Sequence, residues 1–143
     1  MASELKKDYD KYWSDRVPGI VEYTRFLLTH DTDFNHTLRL FIRNIPAETK
    51  VLDMGTGCGL VALEMARMGF DTTAIDCNPD MIEAAKKLSK EMDIDVDFKV
   101  DDVIDTELPE RSFGLITARN CLWNLEDPMK AYSKWKSLLQ PGG

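Results

Sequence analysis

At 143 residues the chain is one domain by length, and 43% apolar residues give it a real core and exclude a disordered polymer. A formal charge of −7, with no run of Lys or Arg to offset it, opposes phosphate backbones and anionic membranes, so neither nucleic acid nor a membrane is an expected partner. No stretch approaches the ~18 apolar residues of a membrane span, the opening segment MASELKKDYDKYW lacks a signal-type apolar core, and Cys58, Cys77 and Cys121 are odd in number without CxxC spacing; a soluble cytoplasmic protein with free thiols is expected.

Residues 4 to 29 read as two helical pieces parted at Pro18 and Gly19, the first carrying Tyr9, Tyr12 and Trp13 and the second Val21, Phe26, Leu27 and Leu28. Asp31 or Asp33 is placed to cap a third helix, in which Phe34, Thr37, Leu38, Phe41 and Ile42 recur at helical spacing before Pro46. Val51, Leu52 and Met54 then suit a buried strand. It ends in the turn VLDMGTGCGL, where Gly55, Gly57 and Gly59 alternate before a helix carrying Leu60, Val61, Leu63, Glu64, Ala66 and Met68. The turn reads as a ligand-binding loop at a helix N-terminus.

Gly69 ends that helix, and Thr72 to Ile75 form a second strand that stops at Asp76. Asn78, Pro79 and Asp80 open a helix with Met81, Ile82, Ala85, Leu88 and Met92 on its apolar face. Ile94, Val96, Phe98 and Val100 alternate with polar residues, the pattern of a strand near a sheet edge, and Asp101 and Asp102 follow. A turn at Leu108 to Ser112 leads to a fourth strand, Phe113 to Ala118; after the loop Arg119 to Leu125, Asp127 and Pro128 start a helix with Met129, Tyr132, Trp135, Leu138 and Leu139.

Strands alternating with helices predict an α/β fold, a Rossmann-like parallel sheet of about four strands with helices on both faces, behind an N-terminal helical segment. Ligands in such sheets bind beyond the C-terminal strand ends. Four loops therefore meet there, bringing Asp53 and the glycines, Asp76 with Cys77 and Asn78, Asp101 with Asp102, and Arg119 with Asn120.

A glycine turn followed by a distant acid suits a dinucleotide, but the GxGxG loop carries no Lys or Arg, and Asp53 would repel a pyrophosphate. Acids at the strand ends suit a ribose and cationic groups, Asp76 for ribose hydroxyls and Asp102 for an adenine amine. S-adenosylmethionine matches this set better than NAD, and an NAD-binding oxidoreductase is the lesser alternative. Asp101 reads as a solvated neighbour, His30 and His36 as surface residues, and a three-thiolate metal site lacks a fourth ligand.

VLDMGTGCGL, AIDCNPDMIEAA, VDDV, LPERSFGLI and LLQPGG, in this order over residues 47 to 143, resemble class I S-adenosylmethionine-dependent methyltransferases, and YWSDR resembles the lead-in of small-molecule members. The resemblance divides the chain into a helical lead-in, 1–46, and a cofactor-binding core, 47–143. It implies that Asp53, Gly55, Thr56, Gly57, Cys58 and Gly59 hold the methionine part, Asp76 the ribose, and Cys77, Asn78 and Met81 the adenosine. It further implies that Asp102 and Val103 read the adenine, that Arg119 and Asn120 face the methionine end and the substrate, and that Trp13 and Arg16 cover the cofactor.

The implied activity is methyl transfer to a small-molecule acceptor, leaving S-adenosylhomocysteine; no residue stands out as a catalytic base. The family fold continues past Pro141-Gly-Gly with strands absent here, so a truncated core with an unpaired apolar edge on strand four is expected. A cofactor-binding module without turnover by itself, completed by a partner chain, or a homodimer through that edge are the readings this suggests.

Overall fold

The computed structural model describes residues 3–143. At its centre is β1 (Lys50–Met54), whose Val51, Leu52 and Met54 are fully buried. Only a strand covered on both faces keeps such a run from water. It lies between β2 (Asp71–Asp76) and β4 (Leu115–Ala118), with β3 (Asp97–Val100) outside β2, giving the order β3-β2-β1-β4 with every pair parallel. Asp53 pairs with Ala74 on one side and Thr117 on the other.

Parallel neighbours need long crossovers. Helices α4 (Leu60–Arg67) and α5 (Pro79–Met92) supply the first two, while β3 reaches β4 through a loop. The described residues form six α-helices and one short 3-10 turn around the sheet. Leu27, Leu28, Leu63, Ala85, Leu88 and Phe98 close one face with the helix over Val17–Thr29, α4 and α5; on the other, Trp135 and Leu138 of α6 (Pro128–Leu138) pack with Met54, Ile75, Val103 and Phe113. The indole of Trp135 donates to the Val103 carbonyl at 2.7 Å, which fixes the helix-free crossover onto α6.

The N-terminal helices α1 (Ser3–Ser14), α2 (Val17–Thr29) and α3 (Asp33–Ile42) correct two sequence expectations. Pro18 and Gly19 lie inside the first turn of α2, and the break falls at Asp15 and Arg16. The first-turn amides have no intrahelical acceptor, so proline removes nothing there. Thr32, rather than Asp31 or Asp33, is the N-cap of α3: the Asn35 side-chain oxygen accepts from its backbone amide at 3.2 Å and its hydroxyl at 2.5 Å. Asp31 instead lies 2.9 Å from His36.

Strand three is shorter than expected, since Ile94 and Val96 pack against the helical face before β3 begins. Its exposed Val100 fits an edge. The fourth strand also starts late, at Leu115, because Phe113 forms an isolated parallel bridge with Leu139 and accepts from the Gln140 amide at 2.8 Å. The outer edge of β4 is therefore engaged at Phe113, and Leu115–Ala118 has no strand on that side among the described residues.

One ion sits deep in the fold. Glu64 of α4 is fully buried, with Oε2 against Arg67 and Oε1 3.6 Å from Arg39, an ion-pair distance that makes no hydrogen bond. Arg67 also donates to the Leu28 carbonyl at 2.6 Å, so the charge pair joins α4 to the end of α2.

Candidate functional site

The glycine turn leaves β1 with Gly55 at φ +64°, Gly57 at +56° and Gly59 at +87°, a left-handed backbone at every second residue that side chains strongly disfavour. Two of the three also lack room. A Cβ on Gly55 would stand 2.6 Å from Cys121 Cβ, and one on Gly59 would stand 2.9 Å from the Phe98 ring.

Asp53 braces this turn from beneath. Its Oδ2 accepts from the Thr56 hydroxyl at 2.6 Å and its Oδ1 from the Thr117 hydroxyl at 2.7 Å, tying β1 to the turn and to β4. Burial raises its pKa to about 6, against the pull of the two hydroxyls, and the nearby Asp76 charge adds to the rise.

Asp76 ends β2, with Oδ2 accepting from the Gly57 amide and Oδ1 from the Asn78 amide, each at 2.9 Å. Burial raises its pKa too, opposed by those amides. Each oxygen retains a lone pair for a second donor. Asn78 caps α5 by accepting from Asp80 and Met81, while its Nδ2 donates to the Asp10 carbonyl at 3.1 Å and the Ser14 hydroxyl at 3.2 Å. Helix α1 is thereby fastened across the strand ends.

The result is a cleft of about 590 Å³, within the ~300 to 1,000 Å³ of small-ligand sites. Of the residues expected at the site, Trp13, Gly55, Asp76, Cys77, Asn78, Met81, Val103, Arg119 and Asn120 line it. Asn120 has φ +58°, a left-handed turn at the end of β4. Asp53, Thr56, Gly57, Cys58 and Gly59 frame the turn behind the lining; Cys58 is buried with its thiol 3.6 Å from Met81 Sδ.

Asp102 and Arg16 stand outside the lining. The Asp102 carboxylate accepts from the amides of Ile104 and Asp105 in its own loop, and Arg16 lies over the Tyr12 ring at 3.4 Å while donating to the Tyr12 carbonyl. Asp101 is no mere solvated neighbour: it accepts from the Asp102 amide and the buried Thr106 hydroxyl, and so shapes the loop after β3.

Sequence reasoning missed much of the wall. Tyr9, Ile20 and Tyr23 line the cleft from the N-terminal helices, and Cys121, Trp123, Asn124 and Leu125 from the segment after β4. Tyr9 and Trp13 meet edge to face at 6.3 Å, and Trp13 and Trp123 are a tilted pair at 6.3 Å. Burial pushes the Tyr9 hydroxyl up to about 12 and the Cys121 thiol up to about 11, with the neighbouring acids adding to both shifts. Tyr9 stands one helical turn before Trp13, a signal the sequence did carry. Another depression, 680 Å³, lies by Glu110, Arg111, Lys136 and Gly143, and its lining includes none of Asp53, Asp76, Asp101 and Asp102.

The chain's residues 51–143 match the family model described as a methyltransferase domain. Over 99 residues it is 38% identical to a ubiquinone biosynthesis O-methyltransferase of Xanthomonas axonopodis pv. citri, an alignment covering 68% of this chain and 41% of that protein. The chain thus spans about two fifths of the length of the curated relatives it matches. Among solved structures, the YcgJ protein of Bacillus subtilis superposes with a TM-score of 0.69 at 29% identity, over 73% of this chain and 46% of that one. A TehB-like SAM-dependent methyltransferase of Corynebacterium glutamicum gives 0.73 at 23% identity, over 90% and 70%, a likeness of fold. With the glycine turn, the acid ending β2 and the aromatic cleft on the same sheet end, the match over 51–143 places this chain in the methyltransferase-domain family.

Proposed function

We propose that the cleft binds S-adenosylmethionine and that the chain serves methyl transfer to a small-molecule acceptor, with S-adenosylhomocysteine as product. The observation that carries this is Asp76, a carboxylate in the cleft lining whose oxygens are each steadied by one backbone amide and keep a lone pair for a ribose hydroxyl.

The donor set fits this cofactor. The turn from Asp53 to Gly59 holds no Lys or Arg for a pyrophosphate, and the acids beside it suit a sulfonium and an ammonium. Asp76 would hold the ribose, Met81 and Val103 would pack on the adenosine, Asn120 would face the methionine end, and Trp13 would cover the site from α1. Asp53, Thr56, Gly57, Cys58 and Gly59 serve by holding the turn. Asp102, whose Oδ1 is taken by its own loop amides, would offer Oδ2 to the adenine amine, and Arg16 contributes only after its contacts with Tyr12 break. Bound there, the cofactor supplies an electrophilic methyl group, and the chain's part is to align an acceptor with it and keep water out.

The name of the Xanthomonas relative suggests an oxygen acceptor. Second comes a module that binds the cofactor and turns over only when completed by another chain, or by a second copy; the open edge of Leu115–Ala118 favours it. No helix among the described residues is long and apolar enough to cross a membrane, in keeping with the cytoplasmic location we assign.

Calorimetry with S-adenosylmethionine and S-adenosylhomocysteine tests the site. Heat with neither, beside a clear signal for NAD, sinks the reading. Release of S-adenosylhomocysteine over a panel of phenols, thiols and amines separates enzyme from module, and light scattering reads the dimer against 16.3 kDa.

A further inference from the structure

The lining of the cleft divides by chemistry. Among the described residues Asp76 is its one carboxylate, bonded to the glycine turn, whereas Tyr23, Trp123 and Leu125 give the same lining an aromatic and apolar part. Trp123 is 71% exposed and Tyr23 51%, so neither ring is held in place by core packing. Trp123 forms a tilted pair with Trp13 and is part of the cleft lining, with most of its surface exposed.

Among the described residues Arg119 is the only cation in the lining. No carboxylate pairs with it among the described residues; its guanidinium rests 5.2 Å from the centre of the Phe34 ring. A guanidinium of this kind holds an anionic oxygen through two donors and also stacks on aromatic rings. An amine acceptor would meet no counter-charge on this wall. A flat anion would meet both rings and charge.

We propose that Tyr23, Trp123 and Arg119 form an acceptor subsite for an aromatic ring bearing an ionised hydroxyl, the rings holding its faces and Arg119 its oxygen. This rests on reading the acid-lined part of the cleft as the cofactor site. It also accounts for the missing base. Tyr9, Cys77 and Cys121 stay protonated at neutral pH, Asp76 is assigned to the ribose, and the lining has no histidine among the described residues, so a phenol that has already lost its proton to solvent, with Arg119 favouring the anion, needs no base from the protein.

The test uses 4-nitrophenol, whose absorption reports its own ionisation, without cofactor. Binding should shift its titration to lower pH. Arg119→Gln should return the titration to that of the free phenol, and Trp123→Leu should weaken binding roughly three- to tenfold. 4-Nitroanisole and cyclohexanecarboxylate, a ring without charge and a charge without ring, should each bind at least threefold more weakly. Circular dichroism matching the parent shows that both variants fold.

Three results overturn the proposal: a titration that the protein leaves unmoved, cyclohexanecarboxylate binding as tightly as the nitrophenolate, or Arg119→Gln weakening S-adenosylhomocysteine while leaving the phenol untouched. Calorimetry with S-adenosylhomocysteine is run separately. Its failure beside a shifted phenol titration removes the cofactor reading and leaves the subsite, and the converse removes the subsite alone.

Discussion

Asn78 holds two helices with one side chain, its oxygen capping α5 through Asp80 and Met81 and its amide nitrogen reaching Asp10 and Ser14 of α1. Asn78→Asp keeps the capping oxygen and replaces the tethering donor with an acceptor. Ligand affinity in the cleft should fall about tenfold, the loss of one to two net hydrogen bonds, with little change in melting temperature. Asn78→Ala removes the cap as well and should lower stability by about 0.5 to 2 kcal/mol. Calorimetry beside thermal denaturation separates the two.

Asp76→Ala should weaken S-adenosylmethionine by roughly 1.5 to 3 kcal/mol, the range for hydrogen bonds to a charged group. Unchanged affinity in a titration would remove Asp76 from the site.

The Asp53 carboxyl makes stability depend on pH with a definite sign. Its folded pKa, about 6, lies above the ordinary 3.8, so the folded state holds its proton longer than the unfolded chain does. The contribution is full below about pH 4, is lost as pH rises through 6, and is level above that. Asp76 acts in the same direction. Melting temperatures recorded from pH 4 to 7 should fall more steeply for the parent than for Asp53→Asn, and Thr117→Val, which removes a donor to the anion, should steepen the fall.

Gly55→Ala places a methyl 2.6 Å from Cys121 Cβ and forces φ +64° on an alanine. Both effects destabilise. Adding Cys121→Gly relieves the collision and leaves the left-handed strain, about 1 kcal/mol. Urea midpoints for the single and double variants should differ by the steric part.

Arg67→Ala leaves the fully buried Glu64 carboxylate without its hydrogen-bonded partner and should cost about 3 to 5 kcal/mol, the range for breaking a buried pair. Arg39→Ala should cost far less, since that arginine is half exposed and makes no hydrogen bond to the acid. Denaturant curves for the two rank the contacts.

The site's frame was legible because its signals are local. Val51 to Gly59 spells a buried strand and a tight turn within a few residues, and Asp76 ends an apolar run. What was missed depends on distant parts. Pro18 looked like a break because the chain gives no sign of where α2 begins, and the capping of Thr32 depends on the Asn35 side chain turning back. Asp102 sits two residues beyond β3, yet it stands outside the cleft lining with its Oδ1 taken by amides of its own loop. The aromatic wall needs Tyr23 of α2 and Trp123, far apart in sequence, to meet over one cleft, and no periodicity encodes that.

The brace from Thr117 to Asp53 spans 64 residues. Closing so long a loop precedes any return from the contacts it makes, which is why parallel pairing is slow to form. Strands β1, β2 and β3 with their helical crossovers involve shorter closures. The Thr117 brace on the glycine turn thus forms only once β4 docks, and ligand-binding competence should emerge in refolding after most of the helical signal has already returned.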